Sequence, residues 1–159
     1  MIFSSPQSTR SFTENLFSLR MIIYEIDNLN LYITFMEYNY DLTGIILKKA
    51  YEVHTALGPG LLESTYEECL CYELSRYGLQ VERQKTLPIE YKGIKIDNGY
   101  RLDIVVENKV VIELKSVETL LPIHSAQLLT YLKLSNIKYG LLINFNVKSL
   151  KEGIKRYIM

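Results

Sequence analysis

A chain of 159 residues with 48% hydrophobic content has the length and apolar share of one globular domain with a sizeable core. Its 18 Lys and Arg balance 18 Asp and Glu, and the pI is near 6.7, which excludes a protein that coats nucleic acid unspecifically through net positive charge. No stretch is apolar enough to span a membrane and the N-terminus lacks a secretory pattern, so a cytoplasmic location is expected.

Residues 1–36 read as an N-terminal extension without an assigned role. Met1 to Thr13 is rich in serine and polar groups, and Met21 to Phe35 mixes apolar residues unevenly with Glu25, Asp27, Asn28 and Asn30. A short docked strand or helix and a segment of little structure both fit this pattern. Met36 stands just before the first clear helix, which makes the extension a candidate upstream start, and the domain proper is expected over residues 37–159.

From Leu42 the apolar spacing becomes helical, with Asp41 or Thr43 available as a cap and Ile45, Ile46, Ala50, Val53 and Leu57 at intervals of three and four. Gly58-Pro59-Gly60 ends that helix. A second is expected from about Leu61 to Tyr77, with Leu62, Tyr66, Cys69, Leu70 and Leu74 inward and Gly78 as its stop. Cys69 and Cys71 would point about 200° apart on it, which suits neither a disulfide nor a chelate. Glu63 lies in its first turn, where complementing the helix dipole is reason enough for a carboxylate.

Gln80 to Tyr91 alternates as a strand, and Pro88 argues for an edge or a bulge. The next stretch is the most informative. Leu102, Ile104, Val106, Val110, Ile112 and Leu114 are apolar at every even position, whereas Arg101, Asp103, Val105, Val111, Glu113 and Lys115 are mixed, the pattern of strands with one buried face. Glu107-Asn108-Lys109 makes a hairpin of arms 100–106 and 110–116. With the turn centred on Asn108, Asp103 lies across from Glu113. Opposed carboxylates roughly 4.5–5.5 Å apart at Cβ repel, and a divalent cation would turn that repulsion into attraction. The plainer alternative is a solvated face on which Lys115 bridges two surface acids.

Pro122 opens a helix through about Ser135, on which His124, Gln127 and Tyr131 share one face. Tyr139 to Phe145 is an apolar run that suits a strand buried on both sides, and Leu150 to Ile158 reads as a closing helix. The resulting order is helix, helix, three strands, helix, strand, helix. It specifies a mixed α/β fold with a four-stranded sheet, an antiparallel meander plus one parallel strand, flanked by helices.

Asp103 and Glu113-Leu-Lys115 on adjacent strands, after a helix bearing Glu63, resemble the PD-(D/E)XK nuclease superfamily with its restriction-endonuclease-like core. Gln127-Leu-Leu-Thr-Tyr131 is similar to the Q-x-x-x-Y motif of its exonuclease-like branch. More closely, Gly60-Leu-Leu-Glu63-Ser-Thr-Tyr66, the preceding Gly58-Pro59, the hairpin and Leu142-Ile143-Asn144-Phe145 are similar to the small GxxExxY proteins, over about residues 41–159. Leu102 stands where the superfamily pattern has a proline that is not itself a ligand. The resemblance implies Glu63, Asp103 and Glu113, with the carbonyl of Leu114, as ligands of magnesium or manganese. It further implies Lys115 beside the attacking water, and Gln127 and Tyr131 orienting the substrate or the site. Hydrolysis of DNA phosphodiesters is the implied activity.

His54 and His124 lie on different helices and read as helix-face histidines. No serine or cysteine has an identifiable histidine partner, and Gly58-Pro59-Gly60 is too short for a phosphate-binding loop. The second function class is a non-catalytic accessory or binding protein that keeps the nuclease fold. Intact Glu63, Asp103, Glu113 and Lys115 favour the enzyme. Neutral charge and small size favour the accessory protein, or a nuclease that depends on a homodimer or a DNA-binding partner.

Overall fold

The computed structural model describes the backbone over residues 7–159 and the side chains of 23–31, 33–34, 42–96 and 100–159. The chain divides into two compact units, Met1–Asp41 and Leu42–Met159. Its first helix, α1, spans Gln7–Leu57. The cap expected near Asp41 or Thr43 is therefore not a helix start. In the first unit the described side chains of 23–34 are all exposed, Ile23, Ile26, Leu29 and Leu31 among them.

The second unit contains α2 (Glu63–Arg76), β1 (Val81–Tyr91), β2 (Ile94–Val106), β3 (Val110–Lys115), α3 (Pro122–Ser135) and β4 (Tyr139–Asn144). A 3₁₀ turn (Leu150–Gly153) and β5 (Ile154–Ile158) close it. The strands form one sheet in the order β1-β2-β3-β4-β5, antiparallel throughout except for the parallel pair β3–β4. The mixed sheet flanked by helices is thus as expected, but it has five strands instead of four. The closing helix expected over Leu150–Ile158 is a 3₁₀ turn and an edge strand. A Cβ on Gly153 would lie 2.2 Å from the Asn144 carbonyl oxygen, so the chain crosses the end of β4 too closely for a regular helix with a side chain there.

Two apolar clusters sandwich the sheet. On one side Leu42, Ile46, Ala50 and Val53 of α1 and Tyr66, Leu70 and Leu74 of α2 pack on Ile104, Ile112, Leu114 and Ile143. On the other, Leu128, Tyr131 and Leu132 of α3 pack on Leu102, Val105, Val111 and Leu142. Each fully buried Leu or Ile contributes roughly 1.5–3 kcal/mol. Because α3 covers the second side, Val111 and Glu113 are as buried as their even-numbered neighbours, and the strands do not have the single buried face that alternation suggested. Leu62, expected inward, is instead 75% exposed, since it precedes the first turn of α2.

Two sequence-marked breaks fall where expected. The β1–β2 register shifts between Leu87 and Ile89, at Pro88. The β2–β3 hairpin pairs Val106 with Val110 and Ile104 with Ile112, centred on Asn108. Glu107 and Asn108 take φ of 53° and 52°, the positive pair that a tight right-twisted hairpin turn requires. Asn136, at φ 54°, ends α3 in the left-handed conformation.

Candidate active site

The site lies where β2 and β3 separate. Their ladder pairing stops at Ile104–Ile112, and beyond it the Leu114 N–H donates to Asp103 Oδ2 at 2.8 Å. A carboxylate has replaced the partner strand as acceptor. On the other flank of β2, Arg83 pairs with Ile104 and Lys85 with Leu102, but Gln84, opposite Asp103, has φ 50° and drops out of the ladder. The strict alternation of β2 breaks at the same place, for Ile104 packs towards α1 and α2 whereas Leu102 packs towards α3. Asp103 thus sits at a local distortion, the kind of strained backbone that clusters at functional sites.

Glu113 is 1% exposed, and its Oε1 accepts a hydrogen bond from Lys115 Nζ at 2.6 Å while its buried Oε2 has no partner. Lys115 Nζ also lies 3.7 Å from Glu63 Oε1, so one ammonium stands between an acid of α2 and an acid of β3. Burial dominates the electrostatics. It pushes the Asp103 carboxyl up to about 6 against the opposing effects of the Leu114 N–H and Lys115, and nearby Glu63 and Glu67 push the same way. Burial, followed by the charge of Asp103, pushes Glu113 up to about 7 despite Lys115. Both carboxylates have a strong demand for positive charge that one lysine does not meet.

Local chemistry explains how Glu63 is presented. Gly58 and Gly60, at φ 68° and 100°, turn the chain between α1 and α2. The Tyr66 hydroxyl donates to the Gly58 carbonyl at 2.6 Å and accepts the Leu61 N–H at 3.1 Å, while its ring stacks on Phe145 with centroids 4.5 Å apart. Ser116 Oγ donates to the Leu61 carbonyl at 2.6 Å, tying the same loop to the end of β3. On α3, Gln127 Nε2 donates to the Tyr131 hydroxyl at 2.8 Å. Burial raises the Tyr131 phenol against the lowering effect of the Gln127 hydrogen bond, and the charges of Glu113 and Asp103 raise it further.

Glu63, Asp103, Glu113 and Lys115 therefore converge, while Gln127 and Tyr131 are bonded to each other on α3. Leu114 contributes its N–H to Asp103 and its side chain to the core. The histidines stand apart. His54 Nε2 meets the Val147 carbonyl at 2.9 Å, and His124 Nδ1 accepts the Leu121 N–H at the start of α3. Cys69 and Cys71 are free thiols, and burial pushes Cys71 up to about 11.

Sequence reasoning missed Glu67. This carboxylate is 4% exposed on α2 and accepts hydrogen bonds from Arg83 Nε at 2.5 Å and Gln84 Nε2 at 2.7 Å. The left-handed turn at Gln84 lets two successive strand residues reach the same helix. An acid four residues after Glu63 and three before Leu70, within the inward stripe of a helix, was the available signal.

The donor chemistry fits a hard divalent cation: a buried carboxylate with an orphaned oxygen, Glu113, and a half-buried one near it, Asp103. Among the described residues no three of His, Cys, Asp and Glu form a complete ligand group, so the fit is to an ion that keeps other ligands.

A family model described as the PD-(D/E)XK nuclease superfamily matches residues 40–157, nearly the whole of the second unit. The chain belongs to the PD-(D/E)XK nuclease superfamily, and its mixed sheet with flanking helices is a restriction-endonuclease-like fold. No curated protein and no solved structure matches the chain. Among the described residues no helix is long and apolar enough to cross a membrane.

Proposed function

We propose that this nuclease-superfamily chain hydrolyses phosphodiester bonds of DNA with magnesium or manganese, as a cytoplasmic protein of the GxxExxY type, on the strength of Gly60-Leu-Leu-Glu63-Ser-Thr-Tyr66. The observation that carries the reading is the pair of half-buried Asp103 and buried Glu113, whose raised proton affinities and orphaned Glu113 Oε2 call for a cation. Asp103 and Glu113 would hold the ion, with the Leu114 carbonyl and Glu63 at its margin. Magnesium keeps several waters and needs only one or two carboxylates. When bound, it supplies Lewis acidity to a water and positive charge to the phosphodiester.

The chain's own residues do the rest. Lys115 Nζ, held by Glu113 and facing Glu63, orients the attacking water and stabilises charge on the reacting phosphate. Tyr131, fixed by Gln127, hydrogen-bonds the substrate or the site from α3. Cleavage of DNA by the wild type, Asp103→Ala and Glu113→Ala with magnesium or manganese tests the proposal. A loss of at least about a hundredfold in both variants is expected; unchanged cleavage in both overturns it.

One observation favours a second reading, an accessory protein that keeps the fold without catalysis. Lys115 already bridges Glu63 and Glu113, and no three-ligand group closes among the described residues. That reading requires no cleavage by any sample, wild type included.

A further inference from the structure

The chain is neutral as a whole, but its charges are not mixed evenly. From Lys133 to the C-terminus the ionised side chains are Lys133, Lys138, Lys148, Lys151, Lys155 and Arg156 against Glu152 alone. The fold brings part of this excess to a concave surface. A groove of about 610 Å³ lies between α1, the 3₁₀ turn and the edge strand β5, where Lys48 and Tyr51 of α1 face Lys151 and Arg156. None of its described lining residues is acidic, whereas a second groove of about 500 Å³ between α1 and α2 is lined by Glu52, Glu68 and Glu73. Gly44 lies four residues before Lys48 on the same helix face, and a Cβ there would meet nothing within 4 Å, which leaves that wall open.

We propose that this groove, formed by Lys48, Tyr51, Lys151 and Arg156, is a second nucleic-acid-binding surface that takes the phosphate backbone, apart from the acidic site. Three cations on three different elements face one concavity, and backbone phosphates are the ligand such a surface complements. Tyr51 is 39% exposed and adds an aromatic ring, the combination used to hold nucleic acid without reading its sequence. The acidic site has the opposite requirement: Asp103 and Glu113 repel a polyanion until a cation neutralises them. A basic groove on β5, two strands from β3, would hold the substrate without that repulsion. The plainer explanation is that Lys and Arg guard an edge strand against pairing with other chains, which calls for no ligand.

This inference rests on the nucleic-acid reading above, and its test is separable from the test of cleavage. Fluorescence anisotropy of the full chain with a labelled DNA oligonucleotide, in a chelator so that no metal-dependent cleavage occurs, is measured against salt. The samples are wild type, Lys48→Gln/Lys151→Gln, and a charge-matched control, Lys92→Gln/Lys95→Gln, at exposed positions of the β1–β2 turn and the start of β2. The groove variant is expected to bind at least about tenfold more weakly, with the slope of log affinity against log salt reduced by about 2. The control should bind no more weakly than wild type. Equal weakening of groove variant and control, or no binding by wild type at low salt, overturns the inference. So does a groove-dependent affinity for phosphatidylserine vesicles in place of DNA. Retained groove-dependent binding by a chain that never cleaves would refute the nuclease reading alone.

Discussion

A carboxylate buried beside another carboxylate is tolerated to the extent that it can hold a proton or a cation. Burial first, and mutual repulsion second, holds Glu113 up to about 7, and burial holds Asp103 up to about 6. Between the ordinary carboxylate range and these values the folded chain binds more protons than the unfolded one. The contribution of both groups to stability is therefore greatest in acid, falls as pH rises through this window, and levels off above about 7. Asp103→Asn keeps an acceptor for the Leu114 N–H and removes the charge. Denaturant titrations should find it more stable than wild type near pH 8, on the order of 1–2 kcal/mol, with a flatter pH profile; lower stability there with an unchanged profile would contradict this. Tyr66→Phe tests the loop that presents Glu63, since it removes both hydroxyl contacts, to Gly58 and Leu61, and leaves the ring on Phe145. A loss of roughly 1–2 kcal/mol is expected, together with weaker magnesium binding in calorimetry. Unaltered affinity would show that the loop is held without Tyr66. The turn at Asn108 and the pairing of Ile104 with Ile112 were legible from alternation, but the setting of Asp103 was not, because the ladder stops and the alternation of β2 breaks there. Nor were Glu67, Arg83 and Gln84, because a left-handed residue inside a strand and a helix-to-strand carboxylate clamp are products of tertiary packing.

Elements were legible where the apolar period was unambiguous. The run Tyr139–Asn144 could hardly be anything but a strand buried on both sides, and Pro122 and Asn136 bracket α3 as their conformational preferences require. The C-terminal stretch misled because Leu150, Ile154 and Ile158 are four apart, which suits a helix as well as it suits an irregular turn followed by a strand. What decides between them is the backbone approach of Gly153 to Asn144, a contact no local pattern records. Asn144 holds this end of the sheet from the other side, exchanging hydrogen bonds with both the N–H and the carbonyl of Val117. Two buried glycines, Gly140 in β4 and Gly153 at the end of the 3₁₀ turn, make a controlled comparison. A Cβ on Gly140 would meet only the side-chain ends of Leu132 and Leu128, at 2.9 and 3.1 Å, whereas one on Gly153 would meet a carbonyl oxygen. Thermal denaturation should find Gly153→Ala destabilised by about 2–4 kcal/mol and Gly140→Ala by about 1 kcal/mol or less. Equal losses would contradict the account of why β5 begins where it does.

For the molecule as a whole, neutral charge proved a poor guide to charge distribution. The 18 cations and 18 anions cancel in sum, yet Lys48, Lys151 and Arg156 share a groove while acids line the separate groove between α1 and α2. Composition excludes a diffuse polycation but says nothing about such segregation. The superfamily was legible from motifs that are individually weak and become specific only in order and at their spacings. The extra edge strand was not among them. The account depends most directly on the carboxylate pair as a cation site, so the decisive measurement is isothermal calorimetry of magnesium and manganese with wild type and Asp103→Ala, followed by DNA cleavage on the same samples. Binding by the wild type that is lost in Asp103→Ala, together with cleavage that requires the metal, is the predicted result; wild type that binds neither ion and cleaves no DNA would contradict it.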